Sequence, residues 1–213
     1  MAEHGGGTAL WLWRHPRPVG AAGRCIGRTD LPVDRRRAKR LAHRIRRTQR
    51  QHGLPAVVWT SPLRRCADVG RWLARWGWTH HIDRDLLELD FGRWDGQAWT
   101  QIAWAEVADW EADFAHHAPG GGEALTSLLQ RCARWLGQAA PQPRLLVAHA
   151  GFINACRLLL QDAGGAEPQT PGRWRTPGEP AACAPRCSAD WPAAPAYGQR
   201  LGWVGPDTGS LGR

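Results

Sequence analysis

The chain has 213 residues, enough for one domain with a substantial core, and 43% hydrophobic with 22% charged residues is the composition of a folded globular protein. Lys and Arg number 28 against 19 Asp and Glu, a net charge of +9 that draws polyanions and small phosphate esters alike. No apolar run approaches the roughly 20 residues of a membrane span, no basic-then-apolar leader opens the chain, and the six cysteines form no Cys-x-x-Cys pair, so a cytoplasmic protein with reduced thiols is expected.

The first apolar run, Ala9-Leu10-Trp11-Leu12-Trp13, predicts a strand with Arg14-His15 at its C-terminal lip. Residues 34–50 carry Ala38, Leu41, Ala42 and Ile45 at the i, i+3, i+4, i+7 spacing of an amphipathic helix. Its remaining face is Arg and Lys, which reads as a solvated surface. Strand-like Ala56-Val57-Val58-Trp59-Thr60 leads into a second helical stripe, Leu63, Cys66, Ala67, Gly70, Leu73 and Ala74. A third stripe, Leu125, Leu128, Leu129, Cys132, Trp135 and Leu136, precedes the apolar run Leu145-Leu146-Val147-Ala148, and Asn154 to Leu160 reads as the helix after that strand. From 164 to 195 Gly, Pro and Ala dominate with no apolar period, so a loop or partly ordered segment is expected before a weak last strand at 199–204. His43, His52, His80, His81, His116 and His117 are assigned to surface or loop. Alternating strands and helices predict a single α/β domain over 1–213, a three-layer αβα sandwich around a mostly parallel sheet.

Ligands of open α/β sheets bind outside the carboxyl ends of the strands. His15 and His149, each directly following an apolar run, should therefore meet in one pocket. Arg14 makes that pocket cationic, which suits phosphate chemistry. Ser61-Pro62-Leu63-Arg64-Arg65-Cys66 lies where a strand hands over to a helix, and helix N-termini collect anions. Either Arg64 or Arg65 would add to such a site. The stretch from Leu87 to Gly96 sets Glu88 among apolar neighbours, with Asp85, Asp90 and Asp95 as rivals. Desolvation raises a carboxyl pKa, as a general acid working near neutrality requires.

Five blocks in order resemble the histidine phosphatase superfamily, the phosphoglycerate mutase-like fold. Its Arg-His-Gly signature appears as Arg14-His15-Pro16, and its phosphate-contacting Arg with a Gly-x-x-Asp turn appears as Arg24-Cys25-Ile26-Gly27-Arg28-Thr29-Asp30. Its Ser-x-x-x-Arg block appears at Ser61 to Cys66 with Arg65 at the phosphate-binding position, its acid block at Glu88 to Gly96, and its late His-Gly motif at His149-Ala150-Gly151. Pro16 and Ala150 stand where the family has Gly. Arg14-His15-Pro16, the Cys25 to Asp30 segment and Pro119-Gly120-Gly121-Gly122-Glu123 most resemble the α-ribazole phosphatases of cobalamin biosynthesis.

The resemblance implies a phosphohistidine on His15, Glu88 as general acid and then general base, and Arg14, Arg65 and His149 on the phosphoryl oxygens, with Arg24 as a further contact. It implies no cofactor and no metal, since the arginines supply the positive charge, and Cys183-x-x-x-Cys187 lacks the spaced partners of a zinc site. The expected partner is a small phosphate ester, with α-ribazole 5′-phosphate favoured. A broad-specificity phosphatase and a non-catalytic phosphate-binding module of the same fold are the alternatives. Neither nucleic acid nor membrane is expected as a partner, because the Arg-rich helix lacks interleaved aromatics; a monomer and a homodimer both stay open.

Overall fold

Strand β1 (Gly7–Arg14) shows why the chain builds two cores. Its side chains alternate across the sheet. Leu10 and Leu12 point into one apolar cluster, and Trp11 and Trp13 into another. The computed structural model describes residues 7–138, 142–160, 172–173, 180 and 182–207. Along them run α1 (Arg35–His52), β2 (Val57–Thr60), α2 (Arg64–Ala74), β3 (Thr79–Ile82), α3 (Trp104–Ala112), α4 (Leu125–Gly137), β4 (Arg144–Ala148), α5 (Ala150–Leu160), β5 (Gly172–Arg173) and β6 (Arg200–Asp207).

The sheet order is β3-β2-β4-β1-β6-β5. The pairs β2–β3, β2–β4, β1–β4 and β5–β6 are parallel, and β6 runs antiparallel to β1. Helices α1 and α2 cover the Trp11/Trp13 face together with Leu145 and Val147 of β4. Helices α4 and α5 cover the Leu10/Leu12 face together with Leu146 and Ala148. The fold is thus the expected three-layer α/β arrangement with a mostly parallel sheet. Each fully buried Leu or Trp contributes on the order of 2 kcal/mol of transfer free energy, so two continuous cores are what hold the central strands in register.

That register sets the site. Arg14 of β1 lies abreast of Ala148 of β4, and the His15 amide donates to the Ala148 carbonyl at 3.0 Å. Thr60 of β2 pairs with Val147, which brings Ser61 to the same edge. Helix α1 is bounded by chemistry visible in the sequence: Asp34 caps it by accepting from the Arg37 amide, and Gly53 ends it at φ 60°.

Three elements differ from expectation. His80 and His81 belong to edge strand β3; His81 is exposed at the surface as expected, whereas His80 is half-buried against Gly70 of α2 with its Nε2 at 2.8 Å from Thr60 Oγ1. Most of β3 is exposed, so it carries no apolar alternation to detect. Helix α3 has no buried residue and for the same reason leaves no stripe. Within 164–195, β5 at 172–173 and a single helical turn at Ser188–Asp190 interrupt the expected loop; much of the rest lies outside the described residues. Among the described residues, no helix is long and apolar enough to cross a membrane.

Candidate active site

His15 is only 4% exposed and lines a cavity of about 370 Å³ at the carboxyl ends of β1 and β4. Its Nδ1 lies 2.8 Å from the Pro16 carbonyl oxygen, which can only accept, so Nδ1 carries the proton. In the neutral ring Nε2 then holds the lone pair, and it has no hydrogen bond among the described residues. Burial, followed by the nearby Arg65 and Arg14 guanidiniums, keeps the His15 pKa well below the ordinary imidazole value of 6.5. His15 is therefore a neutral imidazole at physiological pH.

Arg65, in the first turn of α2, is 1% exposed, and it rather than Arg64 lines the cavity. Arg64 is exposed, its amide donating to Asp30 Oδ1 at 2.6 Å. The Arg65 fork is fixed by bonds from Nη2 to the Gly27 carbonyl at 2.5 Å and from Nη1 to the Thr29 carbonyl at 2.7 Å. The Gly27–Thr29 loop is held from its other side by the Asp95 carboxylate. That group accepts from the Gly27, Arg28 and Thr29 amides and from the Thr29 hydroxyl.

Arg65 Nε donates to His149 Nδ1 at 3.1 Å, so the neutral His149 carries its proton on Nε2 and donates to Ser61 Oγ at 2.7 Å. His149 is fully buried, its ring centre 5.0 Å from that of His15, and both its nitrogens are engaged by protein. It stands behind the cavity wall, whereas Arg14, His15, Arg24, Arg65 and Glu88 line it. Burial, then Arg65 and His15, hold the His149 pKa well below 6.5 as well. Arg14 donates from Nη1 to the Pro195 carbonyl at 2.6 Å, and Arg24 from Nη1 to the Gly96 carbonyl at 2.8 Å at the exposed rim.

Glu88 is the one carboxylate on the cavity wall among the described residues. Oε1 accepts from the Leu89 amide at 3.1 Å and Oε2 from the Gly151 amide at 3.2 Å. A Cβ at 151 would meet Glu88 Oε1 and force the carboxylate to shift, so Gly151 is what leaves Glu88 in this position. The rivals Asp85, Asp90 and Asp95 are spent elsewhere: the first two face Arg134 and Arg28, and the third pins the loop at 27–29.

Two features outside the five sequence blocks support this site. Buried Arg131 of α4 donates to the Asp85, Leu87 and Glu88 carbonyls and forms a two-pronged pair with Glu123 at 3.0 and 2.8 Å. Its signal was an arginine one turn beyond Leu128 inside an apolar stripe. The second is the segment Trp191–Tyr197, which supplies Trp191, Ala194 and Tyr197 to the wall. Phe91, Trp99, Trp110 and Phe114 complete an aromatic part of the wall, with Trp110 and Phe114 stacked at 5.1 Å. Among the described residues, no three His, Cys, Asp or Glu side chains are grouped as metal ligands.

No curated protein matches the chain. Among solved structures, the native mycobacterial glucosyl-3-phosphoglycerate phosphatase is 28% identical with a TM-score of 0.60 over 72% of this chain and 80% of that one. The same enzyme in complex with VO3 is 28% identical with a TM-score of 0.58 over 71% and 82%. TTHB049 from Thermus thermophilus is 26% identical with a TM-score of 0.56 over 72% and 85%. The family description that matches residues 10–183 is histidine phosphatase superfamily (branch 1), and with these neighbours and an imidazole, guanidinium and carboxylate site at the expected sheet edge, the chain belongs to that superfamily.

Proposed function

We propose that the protein is a phosphomonoesterase working through a phosphohistidine on His15. The observation that carries this reading is the His15 tautomer: Nδ1 is tied to the Pro16 carbonyl, and the neutral ring presents Nε2 to a cavity walled by Arg14, Arg65 and Glu88. The Nε2 lone pair attacks phosphorus in line, the P–O bond to the leaving group breaks, and protonated Glu88 donates to the departing alkoxide. Glu88, now a carboxylate, takes a proton from water as its oxygen attacks phosphorus and breaks the P–N bond, releasing phosphate. Arg14 and Arg65 balance the phosphoryl oxygens through a loose transition state, so this reading needs no metal. His149 orients Arg65; it meets a phosphoryl oxygen only by giving up Ser61. Arg24 serves the outer part of the substrate from the rim.

The favoured substrate is α-ribazole 5′-phosphate. The aromatic side of Phe91, Trp99, Trp110, Phe114 and Trp191 suits a flat heteroaromatic leaving group better than a sugar acid such as the ester named for the mycobacterial neighbour. The test is hydrolysis, with EDTA present, of α-ribazole 5′-phosphate, glucosyl-3-phosphoglycerate and simple esters by wild type and His15→Ala. Preference for the ribazole ester in kcat/KM, lost in the variant, supports the reading. Even activity over the panel removes the substrate assignment, and no His15-dependent turnover removes the enzyme.

A further inference from the structure

The segment from Trp191 to Gln199 borders the cavity, with Trp191, Ala194 and Tyr197 on its wall, as a strap fastened through its carbonyls. Asn154 Nδ2 donates to Pro192 at 2.6 Å, Arg157 Nη1 to Ala193 at 3.2 Å and Arg14 Nη1 to Pro195 at 2.6 Å. The turn at its end is closed by the Ala196 amide on Gln199 Oε1 at 2.6 Å and the Gln199 amide on the Ala196 carbonyl at 2.9 Å. Gly198 supplies the positive φ of 73° that the turn needs. Two backbone bonds then lock the turn to β1: the Gly198 amide to the Arg14 carbonyl at 2.9 Å, and the Arg14 amide to the Gln199 carbonyl at 3.1 Å.

These constraints deliver the chain's single tyrosine to one place. The Arg14 guanidinium carbon lies 4.0 Å from the centre of the Tyr197 ring, and the His15 ring centre lies 5.7 Å away. Tyr197 is 42% exposed, so core packing does not account for an aromatic residue here. Arg14 needs such a neighbour: its Nε is buried with no hydrogen-bond partner among the described residues, and Nη1 is committed to Pro195. One hydrogen bond leaves a guanidinium free to turn about it, and a ring face laid against its plane removes that freedom.

We propose that Tyr197 is a positioning residue whose ring holds the Arg14 guanidinium in the plane from which it meets the phosphoryl group on its way to His15. The inference rests on the phosphatase reading of the site, and its test separates the two. Tyr197→Leu should lower kcat about tenfold with a smaller rise in KM, because Arg14 contributes most where phosphoryl charge is largest. It should weaken binding of orthovanadate about tenfold by titration calorimetry and leave Tm unchanged. Tyr197→Phe keeps the ring and should restore both kcat and vanadate affinity. In an Arg14→Ala background, Tyr197→Leu should have no further effect, since the ring acts only through that guanidinium.

A Tyr197→Leu enzyme within twofold of wild type, an undiminished loss in the Arg14→Ala background, or a Tyr197→Phe variant as impaired as Tyr197→Leu would each overturn the proposal while hydrolysis by wild type stood. If wild type hydrolyses no ester in a His15-dependent way, the phosphatase reading fails. The vanadate affinities of the same variants then decide the role of Tyr197 alone.

Discussion

Replacing Arg131 by Met is the sharpest test of how the site is held together. Arg131 is 7% exposed, and its guanidinium bonds at once to the Glu123 carboxylate and to the carbonyls of Asp85, Leu87 and Glu88. Methionine fills similar volume but leaves three carbonyls and one carboxylate without their donor. Removing one partner of a buried ion pair costs about 3–5 kcal/mol. Glu123 keeps Arg28 at 3.4 Å, so the expected loss is at the lower end, about 3 kcal/mol. For a domain of this size that corresponds to a fall in Tm of roughly 6–12 °C. Urea unfolding of wild type, Arg131→Met and the double variant with Glu123→Met measures it. The double variant should be the more stable of the two, because it no longer strands a charge. Hydrolysis should stay depressed more than about tenfold in both, since the segment presenting Glu88 has lost its anchor either way. A loss below 1 kcal/mol in Arg131→Met, or a double variant less stable than the single, would refute this account.

Other perturbations reach the chemistry directly. Gly151→Ala drives a methyl into the Glu88 carboxylate, and kcat should fall by about 10²-fold or more while circular dichroism stays that of the folded chain. Arg65→Lys keeps the charge but cannot serve Gly27, Thr29 and His149 together, so about a 10²-fold loss in kcat is expected, read beside vanadate affinity. His15 stays neutral well below 6.5, so the acid limb of kcat/KM should lie below that pH; a limb centred above it would contradict the burial argument. The same depressed values act on stability. Below 6.5 the unfolded chain takes up protons that folded His15 and His149 refuse, so their contribution is complete above 6.5 and is lost as the pH falls. Melting curves should move down on acidification, less so in His149→Asn, and an upward movement would be inconsistent with this sign. Cys66, whose thiol burial pushes up to about 12, should resist iodoacetamide at pH 8 in the folded protein, as mass spectrometry would show.

The central strands were legible because both of their faces are buried, so short apolar runs ended where the chemistry begins. Helices α1, α2 and α4 each bury one stripe, which is why their apolar spacing could be read directly. Helical spacing alone did not separate Arg64 from Arg65, although the motif register favoured Arg65. Neighbouring residues on a helix differ by about 100° of rotation, and which one turns inward depends on how α2 seats against the Gly27–Thr29 loop. Edge strand β3 and helix α3 were hidden by their exposure. The Trp191–Gln199 strap was hidden for another reason: its anchors are carbonyls, which every residue has. Arg131 was visible as a charge breaking an apolar stripe, but its target is backbone some 45 positions away, and no local pattern encodes that.

The Gly27–Thr29 loop has its amides turned to Asp95 and its carbonyls turned to Arg65. Peptide dipoles thus relay the anion to the cation without the two side chains meeting. A carboxylate laid directly on Arg65 would have cancelled its field at the cavity. Relayed compensation holds the guanidinium in place yet leaves it electrically open on the side that faces the cavity. Gly27 cannot vary, because a Cβ there would strike the Leu89 carbonyl beside Glu88. One short loop is in this way both the insulation between opposite charges and the spacer that sets the distance between the two halves of the site.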